Sequence, residues 1–261
     1  MDPRSAEIVT GEVSGGTNTS HTIVVAALTA LLDAVPPTAA PDAYEYAVVE
    51  ANVLGKDTEG ARRRTFRYLR ELYLLRPDSV LFRALRDLWA VDAGARPLLA
   101  GLCALARDAV FRASSIVIAG TSPGDMLVSA DLADAVAERF PDSYNRGTLA
   151  KIGRNTFSSW EQTGHLTDKG RSTKVRTRPE CTPADVAYAL LLGHLEGARG
   201  YGLFETLWAR VLDQPASHLL DLAASASQQG MLELRQAGGV VDVGFRELLR
   251  PFEAAGGDGS R

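Results

Sequence analysis

The chain has 261 residues, 46% of them hydrophobic and 23% charged, with 28 Lys plus Arg against 32 Asp plus Glu and a formal net charge of -4. That apolar content supplies one large core or several small ones and excludes disorder as the dominant state. The slight acidity excludes a globally basic nucleic-acid binder, so any contact with a polyanion has to be local.

Taken in order, Gly11 to Thr19 reads as a loop, and the run from His21 to Val35 reads as a core helix by its apolar spacing. The charge-free stretch Thr22 to Leu32 falls short of the ~20 residues a membrane span needs. The opening MDPRSAEIVT carries acids and lacks the apolar stretch of an export signal, so a soluble, cytoplasmic protein with no membrane contact is expected. Pro36, Pro37 and Pro41 read as a linker. Tyr44 to Leu54 reads as a helix stopped by Gly55, and after the turn KDTEG an Arg-rich helix runs from Ala61 until Pro77 ends it. Residues 79–92 and 97–118 supply two more apolar helices, and the loop AGTSPGD closes a first unit over residues 1–120.

A second unit, 121–180, has a helix over SADLADAVAERF, a turn over PDSYN, a longer helix from Arg146 to Gly164, and two short alternating segments around Asp168-Lys169-Gly170 that predict a β-hairpin. Helix, turn, helix, hairpin is the winged-helix order. The third unit, 181–261, repeats it with little charge: three helices, then a hairpin around Ala237-Gly238-Gly239. The expected fold is therefore mainly α, built from helix-turn-helix and winged-helix modules with small β-hairpin wings. The last unit's near-neutral hairpin suits core packing or partner docking better than nucleic acid.

Charge is distributed unevenly. From Lys56 to Arg76 there are seven basic residues against three acidic, a net of +4; from Ser143 to Arg178 there are eight against two, a net of +6. The remainder of the chain consequently stands at -14. Two basic islands on an acidic body point to confined anionic contacts, the alternative being solvated faces or seams onto the acidic remainder.

In the first island Thr65, Phe66, Leu69, Leu72 and Tyr73 share one helix face, and Arg63, Arg64, Arg67 and Arg70 lie opposite. Guanidinium groups in a stripe suit phosphate or guanine contact because each presents a fixed fork of donors. Lys56 and Thr58 lead into that stripe. In the second island Arg146, Lys151, Arg154, Asn155, Ser158 and Gln162 form the polar side of a helix, with Leu149, Ile152, Gly153, Thr156 and Trp160 behind. The hairpin adds Lys169, Arg171, Lys174, Arg176 and Arg178, of which the last three share one strand face and are expected to point outward together.

Evidence of chemistry is lacking in the sequence. Cys103 and Cys181 are isolated, and His21, His165, His194 and His218 are scattered, so neither a disulfide framework nor a metal site is readable. No phosphate loop, dinucleotide fingerprint or nucleophile elbow occurs, and no enzyme activity, cofactor or small-molecule substrate is expected. His194 and the three Trp read as core residues.

Several segments together resemble the BrxA family of the BREX bacteriophage-defence systems: the Gly15-Gly16 loop, the helix end Asn52-Val53-Leu54-Gly55-Lys56 with the Arg-rich helix Thr58 to Leu75, the helix GTLAKIGRNTFSSW, the Gly164-His165-Leu166 entry to the wing, and the terminal GGVVDVGFRELL. The resemblance spans nearly the whole chain. It implies a small, mostly helical, non-catalytic accessory protein that binds double-stranded DNA through Lys56 to Arg70 and Arg146 to Gln162, beside other BREX proteins as partners. A scaffold that assembles defence proteins without touching nucleic acid, and a dimeric transcriptional regulator, are the competing expectations.

Overall fold

The structure is a computed structural model that describes residues 6–12, 15–168 and 173–251. α1 (Val25–Ala34) matches the first predicted helix. α2 (Pro41–Val49) starts earlier than expected, because Pro41 occupies its first turn, where the missing N–H has no partner to lose. It also stops short of Leu54: Asn52 and Gly55 both take positive φ, 51° and 61°, in the turn that leads to α3 (Glu59–Tyr73). Thr58 caps α3 by accepting from the Ala61 N–H at 3.2 Å, and Ser79 caps α4 (Val80–Val91) by accepting from Phe82 at 3.2 Å.

The single helix expected over 97–118 is three: α5 (Arg96–Arg107), α6 (Ala109–Ala113) and α7 (Ser115–Gly120). The first break falls at Asp108, whose carboxylate turns away from α5 to cap α6 through the Phe111 N–H at 2.9 Å. α10 (Pro183–Leu195) is buried at every position from Ala184 to Gly193 and lies against α4, α5, α11 (Leu207–Val211) and α12 (Ala216–Gln228). A helix apolar on all sides can only be central. The main apolar cluster around it takes residues from Ile8 to Leu248, and Trp89, Trp160 and Trp208 all sit in it as expected. A smaller cluster of Ala109, Val110, Val136, Phe140 and Ile152 joins α6 to α8 (Ser129–Arg139) and α9 (Arg146–Gln162).

Two small antiparallel sheets complete a mainly helical molecule. β2 (Leu166–Asp168) and β3 (Thr173–Arg176) form the predicted hairpin, with Asp168 opposite Lys174. An unpredicted strand, β1 (Met126–Val128), pairs with the other side of β3 and immediately precedes α8, giving the sheet order β1-β3-β2. Three residues are too few to display an alternation in sequence. Gly153 lets α8 and α9 cross closely: a Cβ there would lie 2.3 Å from the Ser129 carbonyl oxygen. In the second sheet β4 (Glu233–Ala237) and β5 (Val240–Gly244) turn at Gly238 and Gly239, whose φ of 57° and 80° suit a two-residue hairpin turn. A 3-10 turn over Gly200–Glu205 replaces the start of the helix expected before α11. No helix among the described residues is long and apolar enough to cross a membrane.

Candidate nucleic-acid interface

α3 divides as its sequence predicts. Thr65, Phe66, Tyr68, Leu69, Leu72 and Tyr73 are buried, while Arg63, Arg64, Arg67 and Arg70 are exposed. The four arginines are not equivalent. Arg63 Nε donates to Glu59 at 2.7 Å, a bond that raises the pKa of the guanidinium, with Glu50 and Glu45 adding to the acidic field around it. Arg67 stands 3.8 Å from Glu71 and over the Tyr68 ring, and Arg70 lies over Phe66. Lys56 is exposed, and its backbone is fixed at both ends by the Asn52 side chain, at 2.8 and 3.1 Å. The Thr58 hydroxyl oxygen is engaged as the α3 cap.

On α9 the exposed cations Arg146, Lys151 and Arg154 occupy the first half of the helix. The second half is covered, contrary to expectation, by a strap formed by residues 15–24. Asn155 Nδ2 donates to the Asn18 carbonyl at 3.0 Å, Ser159 Oγ donates to Asn18 Oδ1 at 2.7 Å, and Gln162 Oε1 accepts from the Val25 N–H at 3.0 Å. The prediction that Asn155 faces outward is therefore corrected: its amide is spent on the strap. Ser158 is half-buried beside it.

The strap is anchored from below by Asp108. Fully buried, its Oδ2 accepts from the Asn18 N–H at 2.7 Å and from Asn18 Nδ2 at 3.0 Å. Burial raises its pKa, against the pull of those same donors. Gly16 passes so close that a Cβ would sit 2.1 Å from Asp108 Oδ1. On the opposite side Thr17 donates to Glu71 at 2.9 Å and the Tyr73 hydroxyl donates to the Ile23 carbonyl. The strap thus ties α3 to α9.

At its outer edge lies His21. The ring is tilted on Tyr68 with centroids 4.9 Å apart, and its Nδ1 accepts from the Thr22 N–H at 2.9 Å. Its pKa is lowered, first by burial and then by three cations: Lys56, Arg64 and Lys151. One imidazole therefore feels both basic islands at once. The strap carries no charge run and no motif, so charge counting could not have found His21; the surviving signal was the Gly15-Gly16 pair, which marks a tight passage.

The wing differs from expectation. Lys174 Nζ donates to Glu161 at 2.6 Å and stands over the Phe157 ring at 4.6 Å, its side chain only 12% exposed. Arg176 is 3% exposed: Nη2 donates to Asp213 at 2.9 Å, Nε to the Ile118 carbonyl at 3.0 Å, and Nη1 to the Thr177 carbonyl. The reading of Lys174, Arg176 and Arg178 as one outward row is corrected, since the β1 edge and the α11 end wrap that strand and demand internal partners. Arg178 alone of the three is exposed, 3.8 Å from Asp213. Lys169 and Arg171 lie outside the described residues.

Behind the wing His165 is fully buried, its Nε2 2.7 Å from the Val211 carbonyl and its Nδ1 2.7 Å from the Thr163 hydroxyl. A carbonyl can only accept, so Nε2 carries a proton. Burial, helped by the charge of Arg176, lowers its pKa to about 3. A depressed histidine stabilises the fold above its ordinary value near 6.5, and that contribution drains away as pH falls from there towards 3. Asp185, pushed up to about 8 by burial, acts in the opposite sense between its ordinary range and that value. Urea midpoints measured at two pH values isolate the histidine. The wild type is expected to lose up to about 1.4 kcal/mol per pH unit more than His165→Asn on acidification below 6.5. Parallel losses in the two proteins would refute the assignment.

No family model, curated protein or solved structure matches the chain.

Proposed function

We propose that this protein binds double-stranded DNA across the seam where α3, the strap and the first half of α9 meet. The observation that carries the reading is the strap itself, which seats His21 on Tyr68 of α3 and Asn18 on Asn155 of α9, each one helical turn from an exposed cation of its own island, Arg64 and Lys151. On a chain of net charge -4 cations distant in sequence are thus set close together, while Glu59 and Glu71 offset the neighbouring Arg63 and Arg67. The order β1, α8, α9, β2, β3 with β1 and β2 flanking β3 supports a winged-helix module in which α9 is the groove-facing helix, and α2 with α3 supports a helix-turn-helix beside it. The resemblance to the BrxA family supports a non-catalytic accessory role in a BREX-type defence system, with other BREX proteins as neighbours.

Phosphate contact makes affinity salt-dependent, each contact adding about 0.9 to the slope of log affinity against log salt. Fluorescence anisotropy of a labelled duplex over a salt series is expected to show a steep slope for the wild type. Arg64→Ala with Lys151→Ala should lower the slope by about two contacts' worth. Arg246→Ala, at an exposed site just after β5, should leave it unchanged. Absence of wild-type binding at low salt, or an unaltered slope in the double variant, would sink the proposal.

A further inference from the structure

The strap holds a conformation its residues do not choose. Val24 is β-branched yet sits at φ 49°, ψ 44°, in the left-handed region that such side chains avoid. Hydrogen bonds on either side keep it there: the Ile23 N–H donates to Ser159 Oγ at 3.2 Å, the Ile23 carbonyl accepts from Tyr73, and the Val25 N–H donates to Gln162. Strain of this kind persists where the surroundings over-determine it, and it concentrates at working sites. What this strain positions is the turn that carries His21.

Three features of that turn specify the imidazole's role. The Thr22 N–H donates into Nδ1, so Nδ1 must be the unprotonated nitrogen and Nε2 the one that bears hydrogen. Tyr68 of α3 backs the ring and fixes its plane. Two contacts of the strap place it one helical turn from a cation on each side, Arg64 four residues before Tyr68 on α3 and Lys151 four residues before Asn155 on α9, with Lys56 in the turn before α3; all three act on the ring as positive charges. Protonation would place a fourth positive charge among them and break the Thr22 bond.

We propose that His21 is a fixed, uncharged hydrogen-bond donor, through Nε2–H, to a phosphodiester oxygen held by Lys56, Arg64 and Lys151. The proposal rests on the DNA-binding reading and names the group that reads the backbone at that site. It separates two kinds of contact: the three cations supply salt-dependent attraction, and His21 supplies direction without charge. Its substitution should accordingly change affinity with little change in salt slope.

Duplex binding measured at fixed salt from about pH 6 to pH 8 tests this with the full chain. His21→Ala is expected to bind about tenfold more weakly, the loss of one hydrogen bond to a charged acceptor. His21→Gln offers an amide N–H at similar reach and should stay within about threefold of wild type. The wild-type affinity should follow the pH course of His21→Gln. Unchanged affinity in His21→Ala overturns the proposal, as does a wild-type affinity that climbs on acidification in a way His21→Gln abolishes, since that would mark an imidazolium. A second arm works without DNA: imidazole nitrogen NMR at neutral pH should show Nδ1 unprotonated and Nε2 protonated, and added inorganic pyrophosphate should shift the His21 signals. If the wild type ignores duplex but pyrophosphate shifts His21, the DNA reading falls and the phosphate site stands. If duplex binds and depends on Arg64 and Lys151 while His21→Ala is neutral, only this inference falls; no response in either arm removes both.

Discussion

Arg176→Ala is expected to cost about 3–5 kcal/mol of folding stability, because it removes the buried member of an ion pair, leaves two covered carbonyls without a donor and leaves Asp213 only the exposed Arg178 at 3.8 Å. At 3% exposure the guanidinium bridges the end of α7 through Ile118, its own strand through Thr177, and the end of α11 through Asp213. Three acceptors would lose their donor at once. Arg176→Lys keeps a charge but cannot present a planar fork to all three, and should recover only part of the loss. Equilibrium urea unfolding gives the measurement; a cost below about 1 kcal/mol, the size typical of surface pairs, would show the clamp to be dispensable. Replacing Lys174, Arg176 and Arg178 together would report on folding before it reported on DNA.

Asp108→Ala should be comparably severe, at about 3–5 kcal/mol, by a different route. It strips the acceptor from three buried donors, the Asn18 N–H, Asn18 Nδ2 and the Phe111 N–H, each worth about 1–3 kcal/mol when left unsatisfied. Asp108→Asn places an NH2 where one of these donors already points and should fall between alanine and wild type. The informative readout is paired: under conditions where the variant remains folded, duplex affinity should also drop, because the strap that presents His21 hangs from this carboxylate. Stability lost with affinity intact would mean that the strap does not contribute to binding.

The helical part of the fold was legible wherever a period of 3.6 met a clear stop. α3 shows its buried face in the regular recurrence of Phe66, Leu69 and Leu72, and α9 part of its own in Ile152, Thr156 and Trp160, whereas the buried Phe157 and Ser159 fall outside that recurrence. The hairpins at Asp168 and at Gly238-Gly239 were legible from turn chemistry. The breaks at Asp108 and Ser114 were not, since the run from Pro97 to Ile118 keeps its apolar recurrence across Arg107, Asp108 and Arg112, and a capping carboxylate is visible only once its distant partner, Asn18, is known. Burial of Arg176 was missed for a related reason: strand alternation assigns a face, and only the third dimension shows that Asp213 and Ile118 cover that face. Of the candidate interface, the exposed cations on α3 and on the first half of α9 were named from charge alone. His21 and the strap were not, because what makes them a site is a separation in sequence that no local pattern encodes.

That separation has a consequence for the growing chain. Asn18 and Ser159 are 141 residues apart, yet their bond is one of those that seats the strap. Contacts between such remote positions carry a large loop-closure cost and form late. A nascent chain that has left the ribosome only as far as α8 already contains the arginines of α3, but it has no α9 for the strap to grip. Seating of the strap is thereby postponed until the polypeptide is more than half synthesised.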